Sequence, residues 1–171
     1  MTNEKSKINA MGGDNLSLPI GIRQRNHLNI RVNDKNHWVG EQFRSVNHKF
    51  CTFEDELFGY RAALKIIAVT YRKRGILQLS GVISTWAPRS ENNTSMYFAY
   101  VLARLIEKMG IQKVDDFFMP EPCITFKDFY VSLIHYMAMV EIGAENEKFI
   151  NDKKISQAFD MLFPEDKLPL E

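Results

Sequence analysis

The chain has little cysteine. Cys51 and Cys123 are the two in 171 residues, too few for a disulfide framework, and the sequence leaves open whether they pair. Its histidines, His27, His37, His48 and His135, are not at ligand spacing, and the two cysteines lie far apart. No metal site is expected, and no cofactor. No apolar run approaches the roughly 20 residues of a membrane span. The longest, Phe129 to Met139, is short and interrupted by Ser132 and His135. Neither charge sign dominates: 22 Lys+Arg stand against 21 Asp+Glu, a net charge of +1. That excludes nucleic-acid binding through bulk basicity and an acidic-tail protein. Gly12-Gly13 lacks the lysine and the preceding strand that would make it a phosphate loop. Met1 to Asn15 has no apolar signal-peptide core, which predicts cytoplasmic synthesis without general secretory export. An extracellular target would then be reached by lysis, in a phage particle or through an injection device.

What the chain does contain suits a globular fold. Hydrophobic residues make up 45% and aromatics 12%, which argues against disorder over most of the length. Residues 1–19 are polar and turn-rich and read as a flexible N-terminal arm. Residues 20–165 read as one domain, and residues 166–171 as a C-terminal tail.

The domain begins extended. Leu28, Ile30 and Val32 alternate with Asn29 and Arg31, the period of a half-buried strand. A turn at Asn33-Asp34-Lys35-Asn36 would return the chain through His37-Trp38-Val39 as a hairpin, with a third short strand over Asn47 to Thr52. The period then becomes helical. Thr52 and Asp55 fit a capping box, and Leu57, Tyr60, Leu64, Ile67 and Tyr71 form one stripe. Arg72-Lys73-Arg74 suits a helix C-terminus closed by Gly75. A short helix is expected over Gln78 to Trp86. A third, capped by Asn93 or Thr94, carries Tyr97, Val101, Leu105 and Met109. A second capping box at Thr125 and Asp128 opens a helix with the wide apolar face Phe126, Phe129, Tyr130, Leu133, Ile134 and Met137. A last helix runs from about Asp152 to Leu162. The expected class is α+β: mainly helical, with a small antiparallel sheet near the N-terminus.

Two features can carry chemistry. In the loop Trp86-Ala87-Pro88-Arg89-Ser90-Glu91-Asn92-Asn93-Thr94, an aromatic ring and polar side chains can stack on a sugar and bind its hydroxyls. The same residues also suit a structural role, with Trp86 in the core and Pro88 between two helices. The second feature is Glu141, at the end of the apolar helix. An acid there opposes the helix dipole, and Met137, Met139, Val140 and Ile142 solvate it poorly. Both effects raise a carboxyl pKa, as a general acid for glycoside cleavage requires. A solvated surface acid, continuous with Glu145 and Glu147, is the alternative.

At these residues the sequence resembles a family of phage and prophage virion-associated proteins with lysozyme-like, peptidoglycan-processing character. The resemblance rests on Gly21-Ile22-Arg23 running on to Asn29-Ile30-Arg31, then Trp38. It continues through Phe53 with Gly59, Arg61 and Ala62, the run Trp86 to Tyr97, and Glu141-Ile142-Gly143. It departs at His27-Leu28, where the family carries Pro-Gly. It implies a lysozyme-like domain acting as a muramidase or lytic transglycosylase on peptidoglycan glycan strands, with virion or secretion-apparatus partners. In that reading Glu141 is the acid, and Glu56 or Glu91 supplies a second carboxylate where one is needed. Asn29, Trp38, Trp86, Glu91 and Asn92 contact substrate. A non-catalytic virion or wall-binding module on the same fold is the alternative. A third reading gives the Phe126 to Met137 face to an intracellular protein partner. In lysozyme-like enzymes the Glu-ended helix precedes the Asn-rich segment, whereas here it follows. A circular permutation reconciles the orders and predicts Glu141 across a cleft from Asn29 and Trp38.

Overall fold

A computed structural model of the chain describes residues 17–43, 49–110 and 118–164. Residues 1–16 and 166–171, which carry the expected arm and tail, lie outside the described residues, as do parts of the expected third strand and of the loop before Pro122. Among the described residues six α-helices follow in order: α1 (Ile20–Arg23), α2 (Glu56–Leu64), α3 (Leu79–Trp86), α4 (Thr94–Met109), α5 (Lys127–Ile142) and α6 (Asp152–Leu162). A π-helical segment, Lys65–Tyr71, continues α2, and 3₁₀ turns at Ile124–Phe126 and Ala144–Phe149 flank α5.

Helix α5 is the centre of the fold. Phe129, Tyr130, Leu133, Ile134, Met137, Ala138, Met139 and Ile142 are all buried, as expected of a helix that is apolar on nearly every side. It packs against α4, α6, α2 and the short α1. The wide aromatic face is therefore core, although Phe126 at its start is 43% exposed. Burial of its large side chains stabilises by roughly 1.5–3 kcal/mol each.

The expected sheet does not form: among the described residues there are only isolated bridges, Arg31↔Phe50, Asn33↔Asn36, Glu41↔Phe53 and Gln78↔Phe118. The inward alternation is real, since Leu28 and Ile30 are 1% and 5% exposed. The ladder fails for a local reason. Asn29 takes φ 51°, a left-handed turn inside the expected strand. Cys51 N donates to the Ile30 carbonyl and Val32 N to the Lys49 carbonyl, but the buried Asn26 amide takes Ile30 N and the Cys51 carbonyl, which would otherwise continue that pairing. It accepts from Ile30 N at 2.9 Å and donates to the Ile30 and Cys51 carbonyls, each at 2.9 Å. The result is mainly helical, with a pinned loop where the sheet was expected.

The helix ends also differ from expectation. The cap of α2 is Asp55, which accepts from Leu57 N at 2.9 Å, and Thr52 takes no part in it. Helix α5 grows out of a 3₁₀ turn with no side-chain cap, so Thr125 and Asp128 form no capping box there. Asn93 caps α4, while buried Thr94 donates to the Ala87 carbonyl at 2.6 Å and ties the loop to α3. Arg72 does more than complement a helix end. Its guanidinium binds the carbonyls of Met119 and Pro120, each at 3.2 Å, and pairs with Glu121. Neither cysteine forms a disulfide; Cys51 is fully buried, with its Sγ 3.4 Å from the Arg31 carbonyl.

Candidate functional site

Helix α5 delivers Glu141 to the floor of a cavity of about 610 Å³, within the usual range for ligand sites. Asn29 Nδ2 donates to its Oε2 at 2.9 Å, and Trp86 Nε1 and Tyr97 Oη donate to its Oε1 at 3.0 and 3.1 Å. These donors come from the loop after α1, the end of α3 and the first turn of α4. No cation bonds to this carboxyl among the described residues. Burial pushes its pKa above the usual carboxylate range, against the lowering effect of the Asn29, Trp86 and Tyr97 hydrogen bonds. The C-terminal position on α5 acts in the same direction. Burial and the neighbouring Glu141 hold the Tyr97 phenol well above its ordinary value, so it stays protonated.

The cavity walls bring together most of the residues singled out from the sequence. Asn29, Trp38, Trp86, Glu91, Asn92 and Glu141 all line it. Glu91 is paired with Arg31 at the rim. Asn29 touches Glu141 directly instead of facing it across the opening. Glu56 does not line the cavity. It sits in the first turn of α2, bonded to Lys154 Nζ at 2.8 Å, so it is not a second carboxylate of this site.

Three contributions were not read from the sequence. Tyr97 looked like one more apolar position on α4, yet its hydroxyl reaches Glu141. Asn26 is the buried staple that fixes the turn carrying Asn29; its spacing from Asn29 was the available signal. Helical spacing gives no sign of the π segment, and Ile66, Thr70 and Tyr71 line the cavity from it.

The glycine motifs also gain a cause. A Cβ on Gly21 would lie 2.8 Å from Asn29 Oδ1 and 2.9 Å from the Asn26 carbonyl. One on Gly59 would lie 2.8 Å from the Arg25 carbonyl. Both close approaches hold the Asn26–Asn29 turn against the helices. At the departure from the Pro-Gly pattern, His27 is buried and its Nδ1 lies 2.7 Å from Tyr60 Oη. Tyr60 in turn accepts from Asn151 N at 3.2 Å. Burial lowers the His27 pKa and favours the neutral ring. A side-chain network thus holds the turn.

No protein-family model matches the chain. It is 33% identical over 101 residues to Protein P5 of Pseudoalteromonas phage PM2, an alignment covering 56% of this chain and 61% of that protein. The chain is thus similar to a phage protein, and the match spans about three fifths of that curated relative. No helix among the described residues is long and apolar enough to cross a membrane.

Proposed function

We propose that the chain is a phage-derived, virion-associated protein that cleaves the glycan strands of peptidoglycan, with Glu141 as the general acid. The observation that carries this reading is a carboxyl at a cavity floor, desolvated, without a cation, and held by three neutral side-chain donors. Such a group stays protonated to higher pH than a surface glutamate and can give its proton to a glycosidic oxygen. Trp38 and Trp86 offer ring surface for sugar faces, and Asn92 offers an amide at the rim. The similarity to a phage protein supports the virion setting.

The other carboxylate of the cavity, Glu91, is engaged by Arg31. That favours a single-acid route: Glu141 protonates the leaving oxygen as the glycosidic C–O bond breaks, and the carboxylate so formed takes the proton of a hydroxyl of the same sugar as that oxygen bonds to the anomeric carbon, giving an anhydro-sugar end and restoring the acid. Purified protein on peptidoglycan sacculi tests the reading. Released muropeptides with anhydro ends support a transglycosylase, and reducing ends a hydrolase. Binding to sacculi without release would replace the enzyme with a wall-binding module, and no binding at all would end the peptidoglycan proposal.

A further inference from the structure

Asn29 holds one polar atom that the site's hydrogen bonds leave unused. Its Nδ2 faces Glu141, at 2.9 Å from Oε2 and 3.3 Å from the backbone carbonyl. Its Oδ1 is buried and has no hydrogen-bond partner. It lies toward Gly21, where a Cβ would approach to 2.8 Å. Leaving such a buried acceptor unsatisfied is unfavourable, and the residue is already in the left-handed region at φ 51°.

Glu141 has a matching asymmetry. Its Oε1 receives both Trp86 and Tyr97, whereas Oε2 receives Asn29 alone. When the carboxyl is protonated, Oε2 is the oxygen with room for the hydrogen. An O–H there would face the Asn29 N–H, donor against donor. A half-turn of the Asn29 amide exchanges two groups of nearly equal size. It presents Oδ1 to the acid O–H, gives up the longer 3.3 Å bond from Nδ2 to the Glu141 carbonyl, and turns the N–H2 toward Gly21, where a Cβ would lie 2.8 Å from the present Oδ1 and 2.9 Å from the Asn26 carbonyl.

We infer that Asn29 is a two-position clamp on Glu141, donating to the carboxylate and, turned over, accepting from the acid. The inference deepens the proposed function, because it takes Glu141 as the acid of that reaction. It makes Asn29 a positioning residue in place of a sugar contact. Both charge states of Glu141 are then hydrogen-bonded, and the proton is kept on Oε2. Among the described residues, the other charged or titratable groups around the cavity are Arg31 and Glu91, paired with each other, Lys49 on the wall, Tyr71 from the π segment and Tyr97 from α4.

Nuclear magnetic resonance on the full chain, without any sugar, tests this directly. The Glu141 carboxyl carbon is followed through pH together with the proximity signal between the Asn29 side-chain N–H2 and the Gly21 Hα. The signal is expected to be absent when Glu141 is ionised and to appear with the same midpoint as its protonation. Glu141→Gln, which places an N–H2 where the acid carries O–H, is expected to show it at every pH. An unchanged pattern in both states overturns the clamp. On sacculi, Asn29→Ala is expected to lower kcat about tenfold with KM nearly unchanged; a raised KM at unchanged kcat would overturn the assignment. If the resonance signal follows Glu141 while no glycan is cleaved, the clamp stands and the glycosidase reading falls.

Discussion

Two glutamates at opposite helix ends show how position sets chemistry. Glu56 opens α2, where the helix dipole favours an anion, and Lys154 neutralises it at 2.8 Å. Glu141 closes α5, where the dipole opposes an anion, and its partners Asn29, Trp86 and Tyr97 carry no charge. The first environment makes a stable ion pair that fastens α2 to α6. The second makes an acid that resists ionisation and keeps contact with a cavity. The same side chain thus serves the fold in one place and faces a cavity as a desolvated acid in the other.

Glu141→Gln gives the largest expected effect. Loss of a general acid costs about 10²–10⁴-fold, so muropeptide release from sacculi should fall by that factor. The stability change should have the opposite sign. A carboxyl whose folded pKa is raised favours the fold while protonated, and that advantage is lost as pH rises from its unfolded value, about 4.3, through the folded one. The variant should therefore melt higher than the parent at neutral pH, with the gain vanishing near pH 4. Thermal unfolding at the two pH values measures it. An equal loss of activity in Glu56→Gln would break the contrast between the two acids.

Gly59→Ala comes next and probes the fold side of the comparison. The added Cβ would meet the Arg25 carbonyl at 2.8 Å, and backbone cannot swing aside as a flexible side chain can. Overpacking of this kind costs about 1–3 kcal/mol, read as a lowered urea midpoint. Because the displaced loop carries Asn29, activity should fall as well. Unchanged stability would mean that α2 does not hold this turn.

The helical half of the molecule was legible because periodicity reports burial. Tyr60, Leu64, Ile67 and Tyr71 fall inside as their spacing requires, and the last helix spans Asp152–Leu162 as expected. The sheet was misread because Leu28 and Ile30 face inward whether the chain is a strand or a pinned loop. Alternation alone does not say where the backbone hydrogen bonds go, and here the Asn26 side chain takes Ile30 N and the Cys51 carbonyl. At the site, Glu141 was legible from an acid in an apolar helix end. Tyr97 was not, since a tyrosine at a core spacing reveals nothing of where its hydroxyl points. The π turns were hidden because one shifted hydrogen-bond register leaves no residue signature in Lys65–Tyr71.

Trp86→Phe sharpens the Glu141 environment. It keeps a ring on the cavity wall and removes one donor to Oε1. That donor favours the carboxylate, so its loss raises the Glu141 pKa further. The alkaline limb of the pH–rate profile should therefore move upward. A limb that stays in place would show that Trp86 does not set the acidity of this group.

Glu56→Gln should do least. The side chains of Lys154 and Glu56 are 29% and 23% exposed, and Lys154 also bonds Asp55 Oδ2 at 2.9 Å, so one anion remains when the other is neutralised. Pairs this near solvent are worth about 0.2–1 kcal/mol, and the loss should shrink further in 1 M salt, where screening acts within about 3 Å. Chemical denaturation at low and high salt measures both effects, and activity on sacculi should stay within about twofold because no cavity group changes charge. A larger activity loss at intact stability would mean that charge at the start of α2 is felt across the Asn26 turn at Glu141, and the separation of the two acids would then be one of degree.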